Sequence, residues 1–238
     1  MRTTATTCAI RLMGALSIAG LAPAALAQDN LVRNGGFESA FVDPAAWFVN
    51  AAVGQNVLEG WTIASGDIDY IGGYWQHGQG IRSLDLSGRS AGRIEQRVEV
   101  EWGRTYRLEF MLAGNPMGDL LKHLRVEVGA LSWEFEFNAA GRSYQDMGWV
   151  GHEIIFTAQG PRHNSGNNND SGGGSGGGFP TGEVVLAFQS LNHSKWGAAV
   201  DGVSLTLVPA PGPLVLAGLG ITAAIGPSRR RRGAVISG

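Results

Sequence analysis

The sequence predicts an all-β protein built as a β-sandwich or barrel. Apolar and polar residues alternate with a period of two in several stretches, and turn signals separate these stretches. No segment between residues 28 and 208 carries a convincing helical stripe. Because such alternation buries one face of an antiparallel sheet and leaves the other in water, the pattern favours packed sheets over a helical interior.

Seven segments have the character of strands. Residues 93–100 alternate most clearly, with Ile94, Val98 and Val100 on one face together with Gln96. The other six predicted strands cover residues 106–110, 124–128, 133–137, 149–157, 183–190 and 198–208. The turn signals between strands lie at residues 87–88, 102–103, 115–116 and 140–141.

Residues 1–27 have the features of a secretory signal peptide. Arg2 and Arg11 precede or open an apolar run, and a small-residue cleavage site ends at Ala27. The single cysteine, Cys8, lies within this segment. We therefore expect the exported chain to contain no disulfide, no thiolate nucleophile and no zinc bound by cysteine.

Residues 28–208 have the length of one domain with a full core. Residues 160–182 are rich in Gly, Asn and Ser, and we interpret them as a flexible insertion between two strands. Six of the 18 basic residues lie in the terminal segments and all 20 acidic residues lie in the domain, so the domain has a formal charge of about −8. This acidity argues against a nucleic-acid partner.

Residues 209–238 combine a Pro-rich break, an apolar stretch at 214–226 and four arginines at 229–232. Thirteen apolar residues form a helix of roughly 20 Å, shorter than the ~30 Å hydrocarbon core. The arrangement resembles the PEP-CTERM sorting signals read by bacterial exosortases, although Ala210 stands where that family has Glu. The resemblance implies export, transient inner-membrane association and processing by exosortase-type sorting machinery. The alternative is a permanent, weak C-terminal membrane anchor.

A set of ordered segments resembles the exported bacterial proteins known as choice-of-anchor C, which are related to DUF642 domains. These segments are residues 30–38, 60–61, 66–76, 80–88, 92–96, 112–116 and 200–205. The resemblance implies a galactose-binding-like jelly roll with two antiparallel sheets. It also implies display at the cell surface or in the extracellular matrix, and no established enzyme activity.

Glu38 and Asp201 are candidate ligands for a structural Ca²⁺. The first and last strands of a jelly roll commonly lie side by side, and Ca²⁺ takes carboxylate and carbonyl oxygens. Carbohydrate-binding modules of the implied fold often hold calcium between comparable terminal segments. The alternative is that Gly35 and Gly36 form a turn while both carboxylates accept hydrogen bonds from the backbone.

A carbohydrate site is expected near residues 67–77, because sugar rings stack on aromatic faces while polar side chains bind their hydroxyl groups. The candidate ligand-binding residues are Asp67, Asp69, Tyr70, Tyr74, Trp75 and Gln76, with His77 beside them. Trp47, Trp149 and Trp196 are further candidates for stacking. The alternative is that tryptophans fill the core, as we expect for Trp61 and Trp133.

Catalysis has little support in the sequence, and we expect a non-enzymatic protein. Residues 88–92 match the G-x-S-x-G pattern, but a strand follows Ser90 where a nucleophile elbow needs a helix. The five histidines are scattered without the spacing of a zinc motif. Glu134 and Glu136 alternate with aromatic residues, which is typical of a solvated strand face.

The sequence thus predicts a non-catalytic exported protein that binds or organises exopolysaccharide. Two alternatives remain open: a structural or adhesive matrix protein without a ligand site, and a glycan-active hydrolase. A cleft with two close carboxylates beside exposed aromatics would favour the hydrolase. A shallow aromatic platform without such a pair would favour sugar binding, and the absence of both would favour the structural role.

Overall fold

The computed structural model describes residues 28–161 and 179–210. The predicted signal peptide, most of the predicted insertion and nearly all of the C-terminal segment lie outside these ranges. Eleven strands form the described part of the chain. They are β1 (Phe48–Ala52), β2 (Thr62–Ser65), β3 (Asp67–Ile71), β4 (Ser83–Asp85), β5 (Arg93–Glu101), β6 (Thr105–Gly114), β7 (Leu121–Val128), β8 (Leu131–Asn138), β9 (Val150–Thr157), β10 (Thr181–Ser190) and β11 (Ala198–Leu207).

Two antiparallel sheets pack face to face as a jelly-roll β-sandwich, and the prediction of an all-β fold is confirmed. One sheet has six strands in the order β1-β3-β4-β11-β6-β9, and the other has five in the order β2-β5-β10-β7-β8. The chain crosses repeatedly from one sheet to the other, so residues far apart in sequence become neighbours. No helix in residues 28–161 and 179–210 is long and apolar enough to cross a membrane.

The core lies between the sheets and is formed by alternate residues of the long strands. Ile94, Val98 and Val100 are buried on the inner face of β5, as the alternation predicts. Gln96 shares that face and is also buried, and its side chain bonds the amide nitrogen of Arg33 at 2.8 Å and the carbonyl oxygen of Arg33 at 2.9 Å. This pairing removes the cost of burying an unsatisfied amide.

All seven predicted strands are present, with bounds that differ by a few residues. The largest extension is in β6, which gains five residues beyond the predicted segment, and β7 and β8 gain three each. β10 begins at Thr181, so the predicted insertion at 160–182 is wrong for its last two residues, which pair with β5. The four short strands β1 to β4 were not predicted from periodicity.

The N-terminal segment runs beside the last strand, as expected for a jelly roll. The amide of Leu31 donates to the carbonyl of Leu205 at 2.8 Å, and the amide of Val203 donates to the carbonyl of Gly35 at 2.9 Å. A Cβ atom on Gly35 would lie 1.8 Å from the carbonyl oxygen of Val203. Only glycine allows this close approach.

Two loops cover part of the outer face of the six-stranded sheet. The loop at residues 72–80 is bound to that face by Trp75, whose indole nitrogen donates to the hydroxyl of Ser83 at 2.9 Å. The second loop, residues 139–149, is held to the first because the backbone amide of Gln76 donates a hydrogen bond to the carbonyl of Tyr144 at 2.7 Å. The covering leaves one open groove on each side of it.

Candidate functional site

The candidate site is an open groove beside the covering loops, which we call the aromatic groove. It has a volume of about 390 Å³, within the usual range of ligand pockets. Four aromatic and several polar residues line it: Trp47, Phe48, Asn50, Asp69, Tyr74, Gly88, Arg89, Asn115, Lys195 and Trp196. Aromatic faces combined with few, well-placed polar groups are what a polyhydroxylated ligand needs.

The register of three short strands places the polar residues in a row. Asn50 of β1 lies opposite Asp69 of β3, which in turn lies opposite Asp85 of β4. The side-chain amide of Asn50 donates to Oδ1 of Asp69 at 2.9 Å. Burial raises the pKa of Asp69, and the hydrogen bond from Asn50 opposes that rise. The Asp69 carboxylate is thereby oriented on the groove wall.

The aromatic residues form a packed cluster with one open face. Tyr74 contacts Trp47 with ring centroids 4.7 Å apart and Phe48 at 5.1 Å, both edge to face. Tyr144 supports Tyr74 from the loop behind it, at 4.6 Å. Trp47 is 60% exposed although its neighbours hold its ring in place. A fixed and solvent-exposed indole is a suitable stacking surface because little side-chain entropy is lost on binding.

Trp196 lines the same groove from the loop before β11. Its ring packs against the backbone of Gly118, where an added Cβ would lie 2.5 Å from the indole. The ammonium group of Lys195 lies 4.7 Å from the centre of the Trp196 ring. This cation–π arrangement keeps a positive charge beside an aromatic surface of the groove.

The turn at residues 88–90 is held by Asp67. The Asp67 carboxylate accepts the amides of Arg89 and Ser90, the latter at 3.1 Å, and the hydroxyl of Ser90 at 3.2 Å. Burial acts to raise its pKa, but these hydrogen bonds outweigh that effect and the pKa is lowered. Asp67 therefore positions the turn that carries Arg89 instead of facing a ligand.

Asp85 lies fully buried beneath the groove and joins three loops. Its carboxylate accepts hydrogen bonds from the side chain of Asn115 at 2.8 Å and from the amides of Ser87 at 2.9 Å and Gly197 at 3.2 Å. Burial raises the pKa of Asp85 to about 7, against the effect of these donors. The group is a support for the groove because no part of it is exposed to solvent.

Lys122 provides a second buried support. Its side chain starts from the inner face of β7 and its ammonium donates to the carbonyls of Met117 at 2.7 Å and Trp196 at 2.9 Å. Burial lowers the pKa of Lys122. The side chain thus ties together the two loops that carry Asn115 and Trp196.

The structure brings only part of the predicted cluster to the groove. Asp69 and Tyr74 line it, and Asp67 supports its turn. Tyr70 and Trp75 are only 1% and 4% exposed and lie in the core, so neither ring offers a face for stacking. Their closeness to Asp69 and Tyr74 in the sequence predicts a place in the site, but in the fold Tyr70 points between the sheets and Trp75 lies under its own loop.

Gln76 and its neighbour His77 have structural contacts. The side-chain oxygen of Gln76 accepts a hydrogen bond from the backbone amide of Met147 at 3.0 Å. The backbone carbonyl of Gln76 accepts one from the indole nitrogen of Trp149 at 2.8 Å. Nδ1 of His77 lies 2.9 Å from the hydroxyl of Ser83, and burial lowers the pKa of the imidazole. These residues fasten the covering loops.

Six lining residues are not among the predicted ones: Phe48, Asn50, Gly88, Arg89, Asn115 and Lys195. They come from four separate parts of the chain, and no local spacing connects them. Trp47 and Trp196, named only as further possibilities, provide two of the aromatic surfaces, whereas Trp149 is outside the groove lining. Only the strand register brings these segments together.

Glu38 and Asp201 bind the two parts of one loop. Oδ2 of Asp201 accepts the amides of Gly78 at 2.9 Å and Gln79 at 2.7 Å, and Oε1 of Glu38 accepts those of Ile81 at 2.8 Å and Arg82 at 3.1 Å. Burial raises the pKa of Asp201 to about 7 despite these bonds. The groups that contact these two carboxylates are backbone N–H donors, which cannot ligate a cation. The contacts therefore fit the alternative in which both carboxylates accept hydrogen bonds from the backbone.

Within residues 28–161 and 179–210, no group of three or more His, Cys, Asp or Glu side chains is placed to hold a metal ion. A structural calcium at Glu38 and Asp201 therefore stays a prediction that the donor groups around this pair do not support.

A second groove lies on the other side of the covering loops and has a volume of about 620 Å³. Glu109 of β6 and Glu153 of β9 line it and lie directly opposite each other. Its lining contains no Trp or Tyr, and its one phenylalanine, Phe110, is buried. The groove therefore offers no exposed Trp, Tyr or Phe face for stacking. This polar trough lacks the pairing of close carboxylates with exposed aromatics that would favour a hydrolase.

The fold and the site together define a β-sandwich with an open, aromatic-lined groove on one sheet. Residues 30–171, more than half of the chain, match the family described as "Protein of unknown function (DUF642)". The chain therefore belongs to the DUF642 family.

Three further proteins are similar to this chain. Halomucin of Haloquadratum walsbyi (strain DSM 16790 / HBSQ001) is 33% identical over 108 residues, which are 44% of this chain but 1% of that protein. A family 16 carbohydrate-binding module has a TM-score of 0.45 at 13% identity, covering 74% of this chain and 99% of the module. The N-terminal CBM22-1-CBM22-2 tandem domain from Paenibacillus barcinonensis Xyn10C has a TM-score of 0.45 at 16% identity, covering 79% and 49%.

Proposed function

We propose that this chain is a non-catalytic carbohydrate-binding protein, and that the aromatic groove is its binding site. The observation that carries the proposal is a held, 60%-exposed Trp47 in a groove that also contains Tyr74, Trp196 and the side chains of Asn50 and Asp69. Sugar rings stack on such faces, and amide and carboxylate groups bind hydroxyls.

The distribution of carboxylates supports binding instead of hydrolysis. Asp69 is the one carboxylate in the lining of the aromatic groove. Asp85 is fully buried below it, and Asp67 is occupied by the turn at residues 88–90. A glycosidase needs two carboxyl groups that both reach the scissile bond.

We further propose that the protein works outside the cell, at the surface or in the extracellular matrix, and that exopolysaccharide is its partner. The signal-peptide pattern at residues 1–27 and the sorting-signal resemblance at 209–238 support this localisation. On this proposal, exosortase-type machinery and a transient association with the inner membrane deliver the domain.

Replacement of Trp47 tests the proposed site. We expect Trp47→Ala to weaken binding to matrix polysaccharide at least about tenfold, because a central aromatic contact is commonly worth about 2 kcal/mol or more. Affinity electrophoresis or calorimetry with purified exopolysaccharide measures the change. The melting temperature should stay within a few degrees, since Trp47 is largely exposed.

Phe41→Ala is the matched control for this test. Phe41 is 62% exposed on the same surface loop but does not line the groove. Its replacement should leave binding unchanged. Equal loss of affinity in both variants, or none in Trp47→Ala, would place the binding surface elsewhere.

A further inference from the structure

Most of the positive charges in the described residues are in ion pairs, and two of the three exposed cations without an ion-pair partner lie in one groove. Residues 28–161 and 179–210 contain eleven arginine and lysine side chains, and seven of the arginines form ion pairs with Asp or Glu. Lys122 is buried and bonded to carbonyls. Among these described cations, Arg33, Arg89 and Lys195 remain without an ion-pair partner, and the last two both line the aromatic groove.

Local contacts hold the backbone of both groove cations and leave their charged ends exposed. The backbone amide of Arg89 is bound by the Asp67 carboxylate, and its side chain is exposed, with its charge close enough to Asp69 to oppose the rise in the pKa of that carboxyl. Lys195 lies over the ring of Trp196, beside the position where a stacked sugar would sit. An ammonium group on an aromatic surface is partly shielded from water, which strengthens its attraction for an anion.

We propose that the aromatic groove binds an acidic polysaccharide, with Arg89 and Lys195 contacting its anionic groups while the aromatic faces stack on its rings. This inference rests on the proposed carbohydrate-binding function and names the ligand class of that site. Asn50 and Asp69 supply hydrogen-bonding groups for the hydroxyls of the same ligand.

Because the domain carries a negative net charge, any attraction for an acidic ligand must come from charges within the groove. With a formal charge of about −8, the domain as a whole repels a polyanion at long range. The preference must therefore come from direct contacts, above all the planar guanidinium of Arg89, which binds carboxylate or sulfate with two parallel hydrogen bonds. Binding should weaken as salt is added, because partly exposed ion pairs are screened.

Three polymers test the ligand class with the purified protein: polygalacturonate, the same polymer with its carboxyl groups reduced to alcohols, and dextran sulfate. Calorimetry or affinity electrophoresis gives the affinities. We expect at least one of the two anionic polymers to bind about tenfold or more tightly than the neutral polymer. The comparison of polygalacturonate with dextran sulfate distinguishes carboxylate from sulfate as the preferred anion.

Three single variants locate the effect. Arg89→Gln and Lys195→Gln should each weaken binding of the anionic polymer about five- to tenfold, a clearly larger loss than the same variant shows for the neutral polymer. Arg33→Gln removes the third unpaired charge, which lies outside the groove, and should change the affinity less than twofold.

The possible failures are distinguishable. Equal affinity for the charged and reduced polymers would overturn the acidic-ligand assignment and leave carbohydrate binding in place. Equal weakening by Arg33→Gln and Arg89→Gln would also overturn it, because net charge and not the groove would then be responsible. If none of these polymers nor the matrix exopolysaccharide binds, both the assignment and the proposed function are wrong.

Discussion

Single residues determine whether the groove can form, and aromatic and polar residues differ in how they contribute. Trp47 and Tyr74 provide surface, whereas Asp67 and Asp85 shape the loops that hold that surface. The carboxylates of Asp67, which is half-buried, and Asp85, which is fully buried, are bonded to amide donors, so they stabilise a backbone arrangement. A sequence motif made of the same residue types can therefore have two quite different roles.

The contact between Gly35 and β11 gives a test at this scale. Gly35→Ala would place a Cβ atom 1.8 Å from the Val203 carbonyl oxygen, and relieving that overlap should cost about 2–3 kcal/mol. We expect the melting temperature to fall by about 5–10 °C.

Gly36→Ala is the neighbouring control. A Cβ atom there would lie 3.8 Å from the Glu38 side chain, an ordinary contact. Thermal unfolding should show little change for this variant. A similar loss for both would mean that the first segment does not pack against the last strand as described.

At the scale of elements, buried side chains between loops keep the groove open. Lys122→Met removes the donor that serves the carbonyls of Met117 and Trp196. The Met117 carbonyl then loses this donor and the Trp196 carbonyl keeps the Ser194 hydroxyl at 3.2 Å. The loss should lower the free energy of unfolding by about 1–3 kcal/mol. We expect a fall in melting temperature of about 3–10 °C, measured by calorimetry, together with weaker glycan binding.

Lys195→Met serves as the stability control for that variant. Lys195 is exposed, so its replacement should change the free energy of unfolding by less than about 0.5 kcal/mol. A Lys122→Met protein as stable as the wild type would contradict the supporting role of this side chain.

The long strands could be predicted from sequence because each has one buried and one solvated face. β5 alternates buried and exposed or half-buried residues over nearly its whole length. β4 is only three residues long and buried on both faces, so its residues show no alternation. β1 and β3 are short as well and lie where the covering loops hide part of their outer face.

The groove was only partly predictable for the same reason. Asp69 and Tyr74 were identified because aromatic and acidic residues cluster locally in the sequence. Asn50, Asn115 and Lys195 reach them through strand pairing and long crossovers, and their spacing in the sequence carries no sign of this. Composition also could not separate the exposed Trp47 from the buried Trp75, because that difference depends on which loop covers which face.

For the whole molecule, buried titratable groups determine how stability depends on pH. Asp85 and Asp201 each have a pKa raised to about 7 by burial. The unfolded chain gives up these protons near pH 4, so the stabilisation is complete below that pH and is lost as the pH rises through about 7. The lowered pKa values of His77 and His152 act in the opposite direction below about pH 6.5.

The carboxyl groups have the larger shifts, so we expect the melting temperature to fall by several degrees between pH 5.5 and pH 8. Differential scanning calorimetry at constant ionic strength measures this. A melting temperature that rises over the same interval would mean that both carboxylates are ionised in the folded protein throughout.

Carbohydrate binding through the aromatic groove is tested most directly by following the seven indole N–H signals in an NMR titration. The ligand is an oligosaccharide cut from the polymer that binds most tightly. Trp47 and Trp196 line the groove, whereas Trp61 and Trp75 are buried in the core. We expect the signals of Trp47 and Trp196 to shift progressively and saturate while those of Trp61 and Trp75 stay in place. Saturable shifts confined to Trp102, Trp133 or Trp149, with Trp47 and Trp196 unmoved, would contradict the assignment of this groove.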